Sequence, residues 1–288
     1  MRLIVVSGLS GSGKSVALNM LEDLGWFCID NIPAALLEAL VAHTLRQDDP
    51  LYRSLGVGLD ARNRPGDLEA IPALLADLRR SGLRCDMIYL QAADETLLRR
   101  YAETRRRHPL AAQDRSLGDA IASERALLQP LADSADLVVD TSAMSVHGLR
   151  ELVRQRVEER RQGRLSILFQ SFGYKHGIPG DSDFVFDART LPNPFWEPAL
   201  KALDGRDPAV RRFLEASPAV EELYGDIARF IEARIPEFER GNRGYLTVAI
   251  GCTGGRHRSV YLVERLAAHF ATPHPQVLAR HTSLQPRA

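Results

Sequence analysis

Leu3-Ile-Val-Val-Ser-Gly-Leu-Ser-Gly-Ser-Gly-Lys-Ser15 is the stretch that decides the fold of the first half of the chain. An apolar strand runs into a glycine turn and then into an amphipathic helix. Gly8, Leu9, Ser10, Gly11, Ser12, Gly13, Lys14 and Ser15 together satisfy G-x-x-x-x-G-K-[ST], and strand before and helix after is the context this phosphate-binding motif needs. Glycines let backbone N–H groups curl around a phosphate, and the helix N-terminus adds a favourable dipole. Lys14 is expected to reach the β- and γ-phosphates of a nucleoside triphosphate, and the Ser15 hydroxyl to hold Mg²⁺. The competing reading is a glycine turn that binds nothing.

Working outward, short apolar runs recur at residues 3–7, 26–29, 55–59, 87–90 and 137–139, as buried parallel strands do. Helical patterns alternate with them at 15–24, 33–45, 67–80, 95–107 and 117–133. A charged helix over about 145–162, with Gly163 as its stop, marks a boundary. Beyond it come strand-like runs at 165–169, 184–186 and 245–250, helices between 208 and 239, and a last helix from about 259. The expected fold class is α/β: an N-terminal P-loop NTPase (kinase-like) doubly wound parallel sheet over 1–160 and a smaller C-terminal α/β domain over 161–288.

Composition narrows the partners. Lys plus Arg equals Asp plus Glu at 37 each, so no whole-chain field draws nucleic acid or membrane, and any anion site is local. Only three of the basic residues are lysine, Lys14, Lys175 and Lys201, which points to sites that want a compact ammonium. Cys28, Cys85 and Cys252 lie far apart and form no CxxC pair, against a disulfide framework or zinc site. No apolar stretch approaches a membrane span, and Met1-Arg2 leads straight into a strand with no signal peptide, so a cytoplasmic protein is expected. A homo-oligomer is the expected assembly.

The Mg²⁺-side acid should end a strand beside the first one. Leu55-Gly-Val-Gly-Leu-Asp60 makes Asp60 the leading choice, alongside Lys14 and Ser15 as catalytic candidates; an ordinary turn aspartate competes. Asp30 and Asp140 also end apolar runs, and Asp30 could face a second substrate. The arginines of the helix leading into Arg105-Arg-Arg-His-Pro109 fit either a lid over phosphates or a solvated face. Recognition of guanine by an Asn-Lys-x-Asp motif is excluded, since the chain has no Asn-Lys pair.

A second strand, glycine loop and helix follows at Tyr245-Leu-Thr-Val-Ala-Ile250 and Gly251-Cys-Thr-Gly-Gly-Arg-His-Arg-Ser259. Cys252, Thr253, Gly254, Gly255, His257, Arg258 and Ser259 are candidates for a second anion site, with Lys175, Asp187 and Arg189 as neighbours. Cys252 and Arg258 also match the C-x5-R-[ST] spacing of cysteine phosphatases, in which a thiolate attacks phosphorus. Phosphate binding without chemistry, phosphatase catalysis and a plain structural turn all remain open.

With these segments stand Asp30-Asn-Ile-Pro33, Asp60-Ala-Arg-Asn63, Arg106-Arg-His-Pro-Leu110, Ser171-Phe-Gly-Tyr-Lys-His-Gly177 and Leu191-Pro-Asn-Pro194. The set resembles, over the full length, the RapZ/YvcJ family of bacterial P-loop nucleotide-binding proteins. The resemblance implies binding of ATP and GTP with weak hydrolysis, a GTP contact at Asp60, Ala61, Arg62 and Asn63, and a C-terminal domain like phosphofructokinase. It further implies a phosphorylated sugar metabolite as ligand of that domain and, for some members, small RNAs and an endoribonuclease as partners. RNA-binding members end in a run of Lys and Arg, whereas this chain ends Ala279-Arg-His-Thr-Ser-Leu-Gln-Pro-Arg-Ala288, which predicts weakened RNA affinity. Phe195 stands where sugar-sensing members carry His.

Overall fold

Alternate residues of β1 (Arg2–Gly8) face opposite ways, and this alternation builds the first unit. The computed structural model describes the chain except residues 48, 105–106, 112–115, 160–164, 242, 275 and 285–288. In it β1 pairs in parallel with β3 (Ser54–Gly58) on one side and β4 (Arg84–Gln91) on the other. β2 (Phe27–Ile29) and β5 (Leu137–Asp140) complete the order β2-β3-β1-β4-β5. Leu3, Val5, Leu55, Val57, Cys85 and Met87 share a buried core with residues of α2 (Leu37–Gln47), α3 (Pro65–Arg80) and α5 (Leu117–Asp133). Gly56 and Gly58 alternate with these and meet Leu21 and Leu18 of α1 (Lys14–Asp23) on the opposite face. Helices on both faces of a parallel sheet make this half doubly wound.

Local signals set several of the helix starts. Ser116 and Asp119 form a reciprocal capping box that starts α5. Pro65 opens α3 at a position where its missing N–H costs nothing. The helix expected over 33–45 begins instead as a 3-10 turn at Ala34–Leu36 and becomes α2. α4 covers Asp94–Thr104, and α6 covers Val146–Glu159.

The chain divides into two units, Met1–Val157 and Glu158–Ala288. In the second, β6 (Ser166–Gly173), β7 (Phe184–Asp187), β8 (Tyr245–Cys252) and β9 (Val277–His281) form a parallel sheet ordered β7-β8-β6-β9. Ile167, Phe169, Val248 and Ile250 pack with residues of α7 (Pro208–Glu215), α8 (Pro218–Arg240) and α9 (Arg258–Ala271). β9 was not expected from its sequence. Val277-Leu-Ala-Arg-His281 offers only three apolar residues before two basic ones, and it is a strand because β6 offers its free edge to it. Among the described residues no helix is long and apolar enough to cross a membrane.

Candidate functional site

At the C-terminal edge of the first sheet, where parallel α/β sheets hold ligands, β1 gives way to the 8–15 loop. Gly8, Gly11 and Gly13 adopt φ of 147°, 89° and 107°, conformations that residues with a Cβ rarely take. At Gly8 a Cβ would also overlap Leu90 O and lie 2.8 Å from Leu90 N, because β4 passes directly alongside. Leu9 N–H donates to Leu90 O (3.0 Å), and Ser12 N–H closes a turn on Leu9 O (2.9 Å).

The loop's carbonyls are held from outside. Arg100 Nη1 donates to Gly11 O (2.9 Å) and to Thr141 Oγ1 (3.0 Å), and Arg100 Nη2 to Thr141 O (2.7 Å). Thr141 Oγ1 in turn lies 2.9 Å from Ser12 O. In a planar trans peptide the C=O and N–H point in opposite directions. Fixing Ser12 O outward therefore turns Gly13 N–H inward, beside the N-terminus of α1. Burial lowers the Arg100 pKa, with Arg99 adding to the effect and Asp140 and Glu103 opposing it. Arg100 thus braces the loop from behind and does not stand over it as a lid. Arg99 and Arg107 are exposed, while the lid candidates Arg105 and Arg106 lie outside the described residues.

Three acids end strands on this edge, with different partners. Lys14 Nζ is paired with Asp30 Oδ1 and donates to Asn31 Oδ1 (3.2 Å). Asn31 sits at φ 56° and gives its N–H to Asp30 (2.8 Å). Asp60 is buried at 3% exposure; it accepts from Arg62 N–H (3.0 Å) and pairs with the Arg62 guanidinium (3.0 Å). Asp140 accepts from Ser142 N–H and Oγ. Asn63 accepts from Ala34 N–H (2.6 Å) and donates towards Ile32 O (3.4 Å), so the 60–63 turn grips the 30–34 turn. Ala61 is buried in that turn. The acid seated at the lysine is Asp30, whereas Asp60, the acid expected on the Mg²⁺ side, pairs with Arg62.

Ser15 is exposed at the first turn of α1. Its hydroxyl and the Asp30 and Asp60 carboxylates are hard oxygen donors of the kind Mg²⁺ takes, with phosphate and water filling the other positions. No group of three or more His, Cys, Asp or Glu able to hold a metal occurs among the described residues.

In the second unit, β8 ends at Cys252 and α9 starts at Arg258. Gly173 of β6 abuts Gly254 so closely that a Cβ would stand 2.6 Å from Gly254 C. Lys175 donates its N–H to Thr253 O (3.3 Å), and its Nζ would lie 3.9 Å from a Cβ on Gly254. The three basic side chains of the loop reach the 189–203 segment, and Arg258 also keeps its Nη2 on Thr253 Oγ1 of the loop (3.3 Å). Arg258 donates to Arg189 O (2.8 Å) and Leu191 O (2.9 Å), Arg256 to Leu203 O (2.8 Å) and to Ala202 O, and His257 Nε2 to Leu200 O (3.3 Å). Burial lowers the His257 pKa, which leaves the imidazole neutral near pH 7. Asp187 and Arg189 pair with each other (2.7 Å), and the Arg189 guanidinium lies 3.9 Å over the Tyr174 ring.

Cys252 Sγ is 3.2 Å from Ser259 Oγ. Burial acts to raise the thiol pKa, but hydrogen bonds from Ser259 Oγ and from the Ser259 and Gly255 N–H groups, with the Arg258 charge, bring it below its ordinary value. Cys252 is only 3% exposed, and Arg258 gives its Nη1 to two carbonyls while Nη2 donates to Thr253 Oγ1 (3.3 Å). A cysteine phosphatase needs an accessible thiolate and a guanidinium facing the phosphate, and here the thiol is buried and one arm of the guanidinium is committed to the 189–191 carbonyls. What the loop presents is backbone N–H groups and Lys175.

Residues 1–161 match the RapZ-like N-terminal domain and residues 165–285 the RapZ C-terminal domain. The chain is 56% identical over 283 residues to a nucleotide-binding protein of Alkalilimnicola ehrlichii, covering 98% of each. It is 54% identical over 284 residues to a nucleotide-binding protein of Halorhodospira halophila, covering 99% of each. Among solved structures, the shikimate kinase of Bacteroides thetaiotaomicron is 16% identical with a TM-score of 0.37, over 56% of this chain and 98% of that one. Matches to both domains, and relatives sharing more than half their residues from end to end, establish that the chain belongs to the RapZ family.

Proposed function

We propose that the chain is a nucleotide-dependent regulator. Its N-terminal unit binds ATP or GTP with Mg²⁺ and hydrolyses it slowly, and its C-terminal unit takes a phosphorylated small metabolite of the sugar-phosphate kind. The observation that carries this reading is the 8–15 loop, whose carbonyls are tied outward by Arg100 and Thr141 while Lys14 stands at the helix N-terminus. Such a cradle stabilises a phosphate chain by preorganised N–H dipoles and one compact cation. Bound Mg²⁺ would neutralise phosphate charge, with Ser15 and the strand-end acids as its protein ligands. The names of the relatives and the family resemblance support the same reading. Wild-type protein should gain thermal stability with ATP or GTP and Mg²⁺, and Lys14→Ala should not. Identical behaviour of the two proteins would sink it.

For the metabolite, the 251–259 loop and Lys175 are the proposed contacts, and calorimetric titration with hexose phosphates is the test. A role as an adapter that brings small RNA to an endoribonuclease rests on the family resemblance; a gel shift at low salt tests it, with no binding as the refuting result. A second reading, a small-molecule kinase, is favoured by the Asp30 carboxylate at Lys14, where an acceptor hydroxyl could be oriented. It predicts transfer from labelled ATP to a metabolite faster than to water.

A further inference from the structure

Two buried ionisable side chains of the first unit, His108 and Glu124, have no part in the site as described so far. Both side chains have 0% exposure, and His108 Nε2 lies 3.0 Å from Glu124 Oε2. Glu124 projects from α5, and its carboxylate also accepts from Ser10 N–H (2.9 Å) and Ser10 Oγ (2.6 Å). His108 Nδ1 accepts from Leu110 N–H (3.1 Å) and so carries no proton; Nε2 carries it and donates to Glu124. Three donors from two segments thus converge on one carboxylate in a dry environment. An acceptor there without its donors would be costly, so the four bonds stand together.

Ser10 N–H and Leu9 O belong to the same peptide unit. Glu124 holds its N–H side and Ser12 N–H holds its O side (2.9 Å), which fixes the plane of the loop's first turn. His108, directly after the arginine-bearing segment, is tied to the same carboxylate. We propose that Glu124 and His108 are a positioning pair that holds the phosphate-binding loop in its anion-accepting conformation through Ser10, linking the 107–110 segment to nucleotide affinity. The proposal rests on the nucleotide-binding reading.

The test is fluorescence anisotropy of a labelled ATP analogue with the full chain, alongside far-UV circular dichroism and the unfolding midpoint. Glu124→Ala removes all three acceptor contacts, and at least about a tenfold loss of affinity is expected, about 1.4 kcal/mol. Glu124→Gln should bind within about threefold of wild type: its amide oxygen can accept from Ser10 N–H and His108, and its NH₂ can donate to Ser10 Oγ. That rescue separates hydrogen-bond positioning from simple loss of charge. His108→Ala should weaken binding by an intermediate factor. Affinity of Glu124→Ala within twofold of wild type, or equal losses in the Ala and Gln variants, overturns the proposal. Should Glu124→Ala not fold, Ser10→Ala carries the test, with about a threefold loss expected and unchanged affinity overturning it. If wild type itself does not bind the analogue, the nucleotide reading fails and the proposal with it; normal wild-type binding with an indifferent Glu124→Ala rejects only the pairing.

Discussion

Gly58→Ala tests whether the seat of Asp30 beside Lys14 is built into the sheet. A Cβ on Gly58 would overlap Asp30 Oδ1 and stand 2.9 Å from Leu18 Cδ1 and 3.2 Å from Asp30 Cγ. Gly58 is paired in register with Val6, so the backbone cannot retreat without pulling β3 away from β1. The carboxylate must instead give way. The atoms that must shift are side-chain ends, and the Asp30 side chain is 35% exposed, so the cost lies at the lower edge of the overpacking range, about 1 kcal/mol. For a unit of this size each kcal/mol moves the midpoint by about 2–4 °C, so a fall of about 2–4 °C is expected. Displacing Asp30 from Lys14 should alter ATP-analogue affinity in the same variant. Gly66→Ala is the control: nothing lies within 4 Å of its Cβ, and it sits in the first turn of α3. It should stabilise by up to about 1 kcal/mol through helix propensity. Thermal unfolding followed by circular dichroism reads both, and a Gly58→Ala protein as stable as wild type would refute the reasoning.

Asp30→Asn removes an anion that competes with phosphate for Lys14, and with EDTA present it should tighten ATP-analogue binding by about two- to fivefold; weaker binding would contradict this. Arg258→Lys shortens the arm that serves Arg189 O and Leu191 O and gives up the Nη2 contact with Thr253 Oγ1, and should destabilise the C-terminal unit by about 2–4 kcal/mol, with faster amide exchange over 189–203 as the local readout. Burial pushes the Cys28 and Cys85 thiols up to about 12 from an ordinary 9.0. The folded state therefore keeps protons that the unfolded state sheds, and the contribution of these thiols to stability should be constant below about pH 9 and fall between about pH 9 and 12. Cys28→Ser and Cys85→Ser should each flatten that slope in pH-dependent urea unfolding, and an unchanged slope would show that these thiols do not set it.

Much of the fold was legible because its signals are local. Residues 117–133 read as a helix from their own pattern, and α5 spans Leu117–Asp133. The strands of the first unit announced themselves as apolar runs, since strands covered on both faces have no polar side to alternate with. β9 was not legible, because Val277–His281 becomes a strand only when β6 supplies an edge. Arg258 read as an anion ligand by its place in the loop, but its Nη1 is held by carbonyls of residues more than sixty positions earlier, and only Nη2 stays with the loop, on Thr253 Oγ1.

That a phosphate-binding loop stands at 8–15 is written in the sequence, because the motif's glycines, lysine and following helix lie within a few consecutive residues and are recognisable without knowledge of any distant partner. Only the tertiary structure decided what holds that loop and what faces it. Arg100, Glu124 and Thr141 reach it from 89, 114 and 129 residues away, through crossovers of the parallel sheet that no local pattern records. The same packing chose Asp30 over Asp60 as the partner of Lys14. Gly58 leaves room for the Asp30 carboxylate, while Arg62 claims that of Asp60, and which of two strand-end acids meets a lysine is a matter of side-chain space.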